Sequence, residues 1–481
     1  MGRRPFLPVT LDREKATSLQ AQLAMGLRQR IQAGALAAGS QLPSSRELAR
    51  DLGVSRNTVV AAYDQLLGEG YLETRLRSGI FVSESLRDRG SLRPVALDRN
   101  KKLRAAPPER LQAPQPLRPS QPDVGLFPLA LWNRLRNRVL KRHGSGLLHY
   151  QSKFVLGLAP LRQALAEYLL ESRGVRCDWN QIAITGGSQH ALYLLATLLL
   201  QPGDTVAVED PGYVAARQAF LRSGAKLRAM PVDDQGLVVP SPGKSPRAAD
   251  QVKLIYTTPS RHFPTGATMP VARRMALLET AARDGSWVIE DDYDSEFRYA
   301  QTPLPSLHGL DSHRRVIYVA SMSKVLFPSL RIGYVVLPPE LIEPFAELRA
   351  TVDDHGPLID QATLGEFVAS GEFYRHIRRC RKVYASRLET FLESADEEQL
   401  PLTFPFTDGG MNQAGFFVDS TLNDLAAEQR LEQAGITAPA LSRFAMRATR
   451  PGLLFGFTAF IGTTLRSTIR RIASVLRSTC E

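Results

Sequence analysis

Apolar residues recur at helical spacing through SLQAQLAMGLRQRIQAGAL, residues 18–36. The stretch LPSSRELARDLGVSRNTVVAAYDQLLGEGYL then divides into two short helices: Ser44 or Ser45 caps the first, Gly53 ends it, and Ser55 caps the second. Val59, Tyr63, Leu66 and Leu67 make the inward stripe of that second helix, which leaves Arg56, Asn57 and Thr58 at its exposed N-terminal turn. A hairpin is expected next, YLETR then GIFVSE, with Arg75, Arg77 and Gly79 near its tip. After residue 122 the pattern changes. Apolar runs QIAIT (181–185), DTVAVED (204–210), KLRAMPV (226–232), KLIYTT (253–258), SWVIEDD (286–292), RVIYVAS (315–321) and RIGYVVL (331–337) alternate with helical stretches. Most of them are continuous rather than alternating in polarity, as in strands covered on both faces, and predict a parallel or mixed α/β sheet.

Between these regions, residues 83–122 are rich in Pro, Arg and Gln and keep no sustained period, so they read as a linker between a domain over 1–82 and a body over 123–481. A chain of 481 residues has ample core for such a division, and 43% hydrophobic residues exclude a disordered chain. Charge is uneven: residues 1–118 hold 20 Lys and Arg against 11 Asp and Glu, while the whole chain carries +12. The basic excess therefore sits in the N-terminal quarter, as in a part that meets a polyanion. Cys177, Cys380 and Cys480 are widely spaced, which points to a reducing compartment and away from disulfides or a thiolate zinc site. No apolar stretch reaches the ~20 residues of a membrane span, and no secretory signal follows Arg3 and Arg4; cytoplasm is the expected location.

A helix that enters the major groove needs polar readers at its front and an apolar anchor behind, and the second short helix has both. PSSRELARDLGVSRNTVVAAYDQL followed by GYLETRLRSGIFV resembles the winged helix-turn-helix of GntR-type bacterial transcription regulators. The resemblance implies promoter DNA as partner. Arg46, Arg56, Asn57 and Thr58 would lead the contacts, Ser45, Ser55, Arg75 and Arg77 would add to them, and Gly79 would sit at the wing tip.

In the body, VIYVASMSKVLFPSLRIGYVV places Lys324 in a Ser-rich loop after a buried run, with Arg331 seven residues on. The segment resembles the cofactor-lysine segment of fold-type I pyridoxal 5′-phosphate enzymes of the aminotransferase class. That resemblance makes Lys324 the Schiff-base lysine, Arg331 a phosphate ligand, and Ser321 and Ser323 further cofactor contacts. Upstream, VIEDDYDSEFRY offers a carboxylate to keep a pyridinium nitrogen protonated: by the match it is Asp291, with Tyr293 on the ring oxygen. Asp292 and Asp294 are left as an acidic strand end that caps a helix or solvates a loop. In AITGGSQHALYLLATLLL, Gly186, Gly187, Ser188 and Gln189 put backbone N–H groups and a hydroxyl at a helix start, a phosphate site. Tyr213 of EDPGYVAARQAF matches the ring-stacking aromatic, and TPSRHFPTG matches the loop beneath the ring oxygen.

Head, linker and body together resemble the MocR subfamily, in which a winged helix-turn-helix is fused to a fold-type I aminotransferase-like domain. This implies a ligand-responsive regulator, a small-molecule effector and a head-to-tail homodimer. The other reading is a working aminotransferase with an accessory DNA-binding head. Three departures bear on the choice. Phe263 replaces the asparagine many aminotransferases place beside the ring oxygen, Tyr150 and Gly157 are two residues too far apart to match the usual partner-reaching tyrosine segment, and Leu454 stands where the carboxylate-binding arginine belongs. Without that clamp, turnover of an α-amino acid is not expected. The expected effector is pyridoxal phosphate itself or an amine whose acidic group is gripped elsewhere. Arg217, Arg443, Arg447 and Arg450 are the substitutes the sequence offers for the missing clamp.

Overall fold

The computed structural model describes residues 9–14, 17–75, 78–86, 115–240, 251–299 and 304–477. The chain forms two compact units, 1–111 and 112–481. In the first, α1 (Leu19–Gln32), α2 (Ser45–Leu52) and α3 (Arg56–Gly68) precede a hairpin of β1 (Leu72–Arg75) and β2 (Gly79–Val82). Ser44, rather than Ser45, caps α2: its hydroxyl accepts from the Glu47 N–H while the Glu47 carboxylate accepts from the Ser44 N–H, a closed capping box. Gly53 ends α2 at φ +63°, a left-handed turn that a side chain resists, and Ser55 caps α3. Val59, Tyr63 and Leu66 of α3 join Leu23, Leu27, Leu48, Leu72 and Val82 in one core. Leu67, expected in the stripe, only packs against its margin.

The second unit is built on an eight-stranded sheet. Its strands are β3 (Ile182–Thr185), β4 (Thr205–Asp210), β5 (Lys226–Asp233), β6 (Gly236–Leu237), β7 (Val252–Thr257), β8 (Trp287–Asp292), β9 (Val316–Ser321) and β10 (Gly333–Val336), in the order 3-10-9-8-7-4-5-6. β10 runs antiparallel to β3 and β9, and β6 antiparallel to β5; the remaining pairs are parallel. Each apolar run of the sequence is therefore a strand, and the reason for its continuity is visible. Ile182 and Ile184 face one core with Leu161, Leu165 and Leu364, whereas Ala183 between them faces another with Leu192, Leu195 and Phe345. With both faces buried, neither parity of position is left polar. A small antiparallel sheet of β11 (Leu402–Thr403), β12 (Asn412–Phe417) and β13 (Gly452–Gly456) completes the unit, with the long helix Glu372–Glu397 and the C-terminal helix Gly462–Arg477 in the shared core.

Residues 115–122, assigned to the end of the linker by composition, belong to this unit. Leu117 is fully buried, and its carbonyl accepts from the Gly456 N–H at 2.7 Å. The Asn412 side chain holds both the N–H and the hydroxyl of Ser120. One buried leucine among prolines and polar residues carries no period, so composition alone misplaces the boundary. Most of the linker, 87–114, lies outside the described residues, as do Arg77 and Cys480. No helix of the described residues is long and apolar enough to cross a membrane.

Candidate functional sites

In the first unit, Arg46, Arg56 and Asn57 are exposed on the starts of α2 and α3, with Ser45 and Thr58 half-buried beside them. The Arg56 Nε reaches Ser45 Oγ at 3.5 Å, so the two helix starts present one polar face. Ser55 is committed to capping, its hydroxyl meeting the N–H and the hydroxyl of Thr58. Arg75, near the wing tip, pairs with Glu73 at 2.8 Å and Glu84 at 2.9 Å and lies over the Phe81 ring. Gly79 turns at φ +109°, exposed.

In the second unit the site gathers where β3, β4, β7, β8 and β9 end, at the carboxyl edge where open α/β sheets bind ligands. A cavity of about 320 Å³ there is lined by Ser188, Tyr213, Asp291, Tyr293 and Lys324, five residues singled out from four segments of the sequence, and also by Tyr256, Phe263 and Arg118. The Lys324 amine rests on the carbonyl of Ser120 at 3.2 Å. Burial lowers its affinity for a proton, with Asp294 and Asp291 pulling the other way.

Asp291, at the end of β8, has its Oδ2 held by the Tyr256 hydroxyl at 2.7 Å. Its Oδ1 is buried with no partner among the described residues. Burial pushes this carboxyl up to about 7, with the Tyr256 hydrogen bond opposing the rise. A buried carboxylate oxygen lacking a donor costs free energy that a protonated ring nitrogen would return.

The phosphate-type turn differs from expectation in one respect. The Gly186 N–H already donates to His190 Nδ1 at 3.0 Å, so it is not free for a ligand, and the Gln189 amide nitrogen bonds the Ala215 carbonyl while its buried Oε1 has no partner among the described residues. Gly187 turns at φ +102°, and a Cβ built there would lie 3.4 Å from the Arg331 guanidinium. Arg331 thus packs against the turn at the start of the helix Ser188–Leu199. Ser321 caps the four-residue helix Met322–Val325 through the Ser323 N–H, which leaves the buried Ser323 hydroxyl without a partner among the described residues.

Asp292 and Asp294 neither solvate a loop nor cap a helix. Asp292 is buried on Arg173 at 2.8 Å and the Tyr318 hydroxyl at 2.7 Å; Asp294 is buried on the Met411 N–H with Arg261 3.6 Å away, and burial raises it to about 6. Phe263 stands edge-on between Tyr213 and Tyr293, centroids 5.7 and 5.9 Å away, in the apolar company of Leu454 and Phe444. None of the four substitute arginines lines the Lys324 cavity. Arg217 is buried on Asp210 and the Glu209 carbonyl, Arg443 pairs with Glu428, and Arg450 covers the Phe416 ring. Arg447, with Arg450, borders a neighbouring cavity of about 590 Å³.

A winged-helix unit on a separate unit of aminotransferase fold defines a transcription regulator with an enzyme-like body, and the comparisons agree. Residues 19–82 match the family of bacterial regulatory proteins of gntR type, and residues 143–450 match aminotransferase class I and II. The chain is 36% identical to the probable rhizopine catabolism regulatory protein MocR of Rhizobium meliloti, over 97% of this chain and 95% of that one. It is 32% identical to the pyridoxine biosynthesis transcriptional regulator PdxR of Corynebacterium glutamicum, over 98% of each. Among solved structures, a kynurenine aminotransferase of Pyrococcus horikoshii superposes with a TM-score of 0.68 at 28% identity, over 76% of this chain and 91% of that one. The protein belongs to the MocR subfamily of GntR-type transcription regulators.

Proposed function

We propose that the body holds pyridoxal 5′-phosphate through Lys324 and that occupancy of this site by a small-molecule effector governs the binding of promoter DNA by the head. The observation that carries the reading is the buried, partnerless Oδ1 of Asp291 in the same cavity as the Lys324 amine. The residues present fit the cofactor: Lys324 for its aldehyde, Asp291 for its ring nitrogen, Tyr293 for its ring oxygen, Tyr213 against its face, and Gly187, Ser188, Ser323 and Arg331 for its phosphate. When bound, the cofactor supplies an electrophilic carbon that exchanges amines and a ring that accepts electrons. The chain's own part would be to hold that group through a charged Asp291 and to wall the cavity off from water with the Tyr213–Phe263–Tyr293 cluster.

The regulator reading is favoured over net transamination because Leu454 occupies the clamp position and lies in a small apolar cluster. A homodimer is supported by the exposed Tyr150 and Leu148, 92% and 68% accessible in the single chain. By the family likeness it is head-to-tail and cytoplasmic. Purified protein should show a visible absorbance band that borohydride removes, and Lys324→Ala should lack it. A colourless wild type that gains no band with added pyridoxal phosphate refutes the reading.

A further inference from the structure

We infer that Arg118 is a specificity-determining residue of this cavity, the cation that meets the acidic group of an incoming amine. The inference rests on the cofactor reading above. Among the described residues lining the cavity, the charged side chains are Arg118, Asp291 and Lys324. Asp291 and Lys324 are the pair suited to the cofactor's ring nitrogen and aldehyde, and the phosphate-type turn has Arg331. Arg118 is left over. No carboxylate among the described residues pairs with its guanidinium, in contrast to Arg217 and Arg443.

The backbone around Arg118 is held with unusual firmness. Leu117 and Ser120 adopt φ of +62° and +58°, left-handed values that a residue with a Cβ disfavours. They persist because Leu117 is buried, Gly456 donates to its carbonyl, Asn412 grips Ser120, and Thr458 donates to the Gln121 carbonyl at 2.7 Å. The turn fixed in this way puts Arg118, an exposed residue, and Ser120 together on the wall of one cavity, and the Ser120 carbonyl holds the Lys324 amine. An incoming amine that displaces Lys324 thus puts its nitrogen close to the Arg118 segment, and its far end meets a guanidinium whose planar donors match an acidic oxyanion.

The test uses two probes that share the aminooxy group and differ by one carboxylate, aminooxyacetate and O-methylhydroxylamine, on the cofactor-loaded full-length protein. With either one the probe's nitrogen takes over the double bond to the cofactor's aldehyde carbon, and lysine leaves as a free amine with the two hydrogens the probe gives up; nothing is oxidised. Rates read from loss of the visible band are divided by those on free pyridoxal phosphate. Wild type should favour aminooxyacetate by about tenfold or more, a difference of ~1.4 kcal/mol. Arg118→Gln should bring the ratio within about twofold of unity and Arg118→Lys should keep part of it, and because each ratio is taken within one variant, any common effect of the substitution on Lys324 exchange cancels. A ratio near unity in wild type, or one kept by Arg118→Gln, overturns the inference while the cofactor reading stands. A wild type without a band overturns both, and a band lost only in the variants would place Arg118 on the cofactor instead.

Discussion

Replacing Asp291 by Asn separates the cost of the buried carboxyl from its use. The two side chains have nearly the same shape, and the amide oxygen can still accept from the Tyr256 hydroxyl now 2.7 Å away. In the cofactor-free protein, burial lifts Asp291 from 3.8 to about 7. Between those values the folded state holds a proton that the unfolded state has released, so stability falls as pH rises; the penalty is absent below pH 3.8 and complete above about 7. At 1.36 kcal/mol per pH unit, the stretch from pH 5 to about 7 contributes roughly 2–3 kcal/mol. Asp291→Asn removes this slope. The stability of the variant minus that of wild type, from urea unfolding of the cofactor-free body, should grow by that amount between pH 5 and pH 8.5. Asp294 and Glu296, also raised by burial, to about 6 and about 7, titrate in both proteins and leave the difference largely unaffected. Added pyridoxal phosphate should reverse the order, because only the carboxylate pairs with a protonated ring. A difference independent of pH would refute the assignment of a costly ionised carboxyl to this site.

Tyr256→Phe deletes the one described donor to Asp291 Oδ2 and should weaken cofactor retention by about tenfold, the worth of a hydrogen bond to a charged group. A merely structural role would leave the pH dependence of the visible band in place, whereas loss of this donor should move it to higher pH. In the head, Arg56→Ala should cost ~1–3 kcal/mol of discrimination between promoter and random DNA and leave the visible band untouched. Unchanged discrimination in a mobility-shift titration would exclude Arg56 as a reader.

The seven apolar runs and the capped helices were legible because each is set by local pattern: β3 reads as IAIT since both its faces are covered, and Gly53 reads as a stop since φ is positive there. Tyr256 was not legible. It is an aromatic inside a buried run, and it meets Asp291, 35 residues away, only because β7 and β8 lie side by side in parallel. Arg118 was hidden by the prolines around it, and the buried state of Asp292 and Asp294 by their acidic, loop-like neighbourhood. The committed Gly186 N–H depends on where the His190 ring folds back, a choice of rotamer that spacing does not encode.

The stretch 115–122 is pinned into the body beside Lys324, and it is also where the chain arrives from the head. The covalent route from one unit to the other therefore does not leave from a remote surface. It begins at the wall of the cavity, with Arg118 four residues beyond the end of the undescribed segment 87–114. When Lys324 gives up the Ser120 carbonyl, the first described segment of the body loses a donor, so a ligand that draws the lysine away acts directly on the stretch that follows the linker.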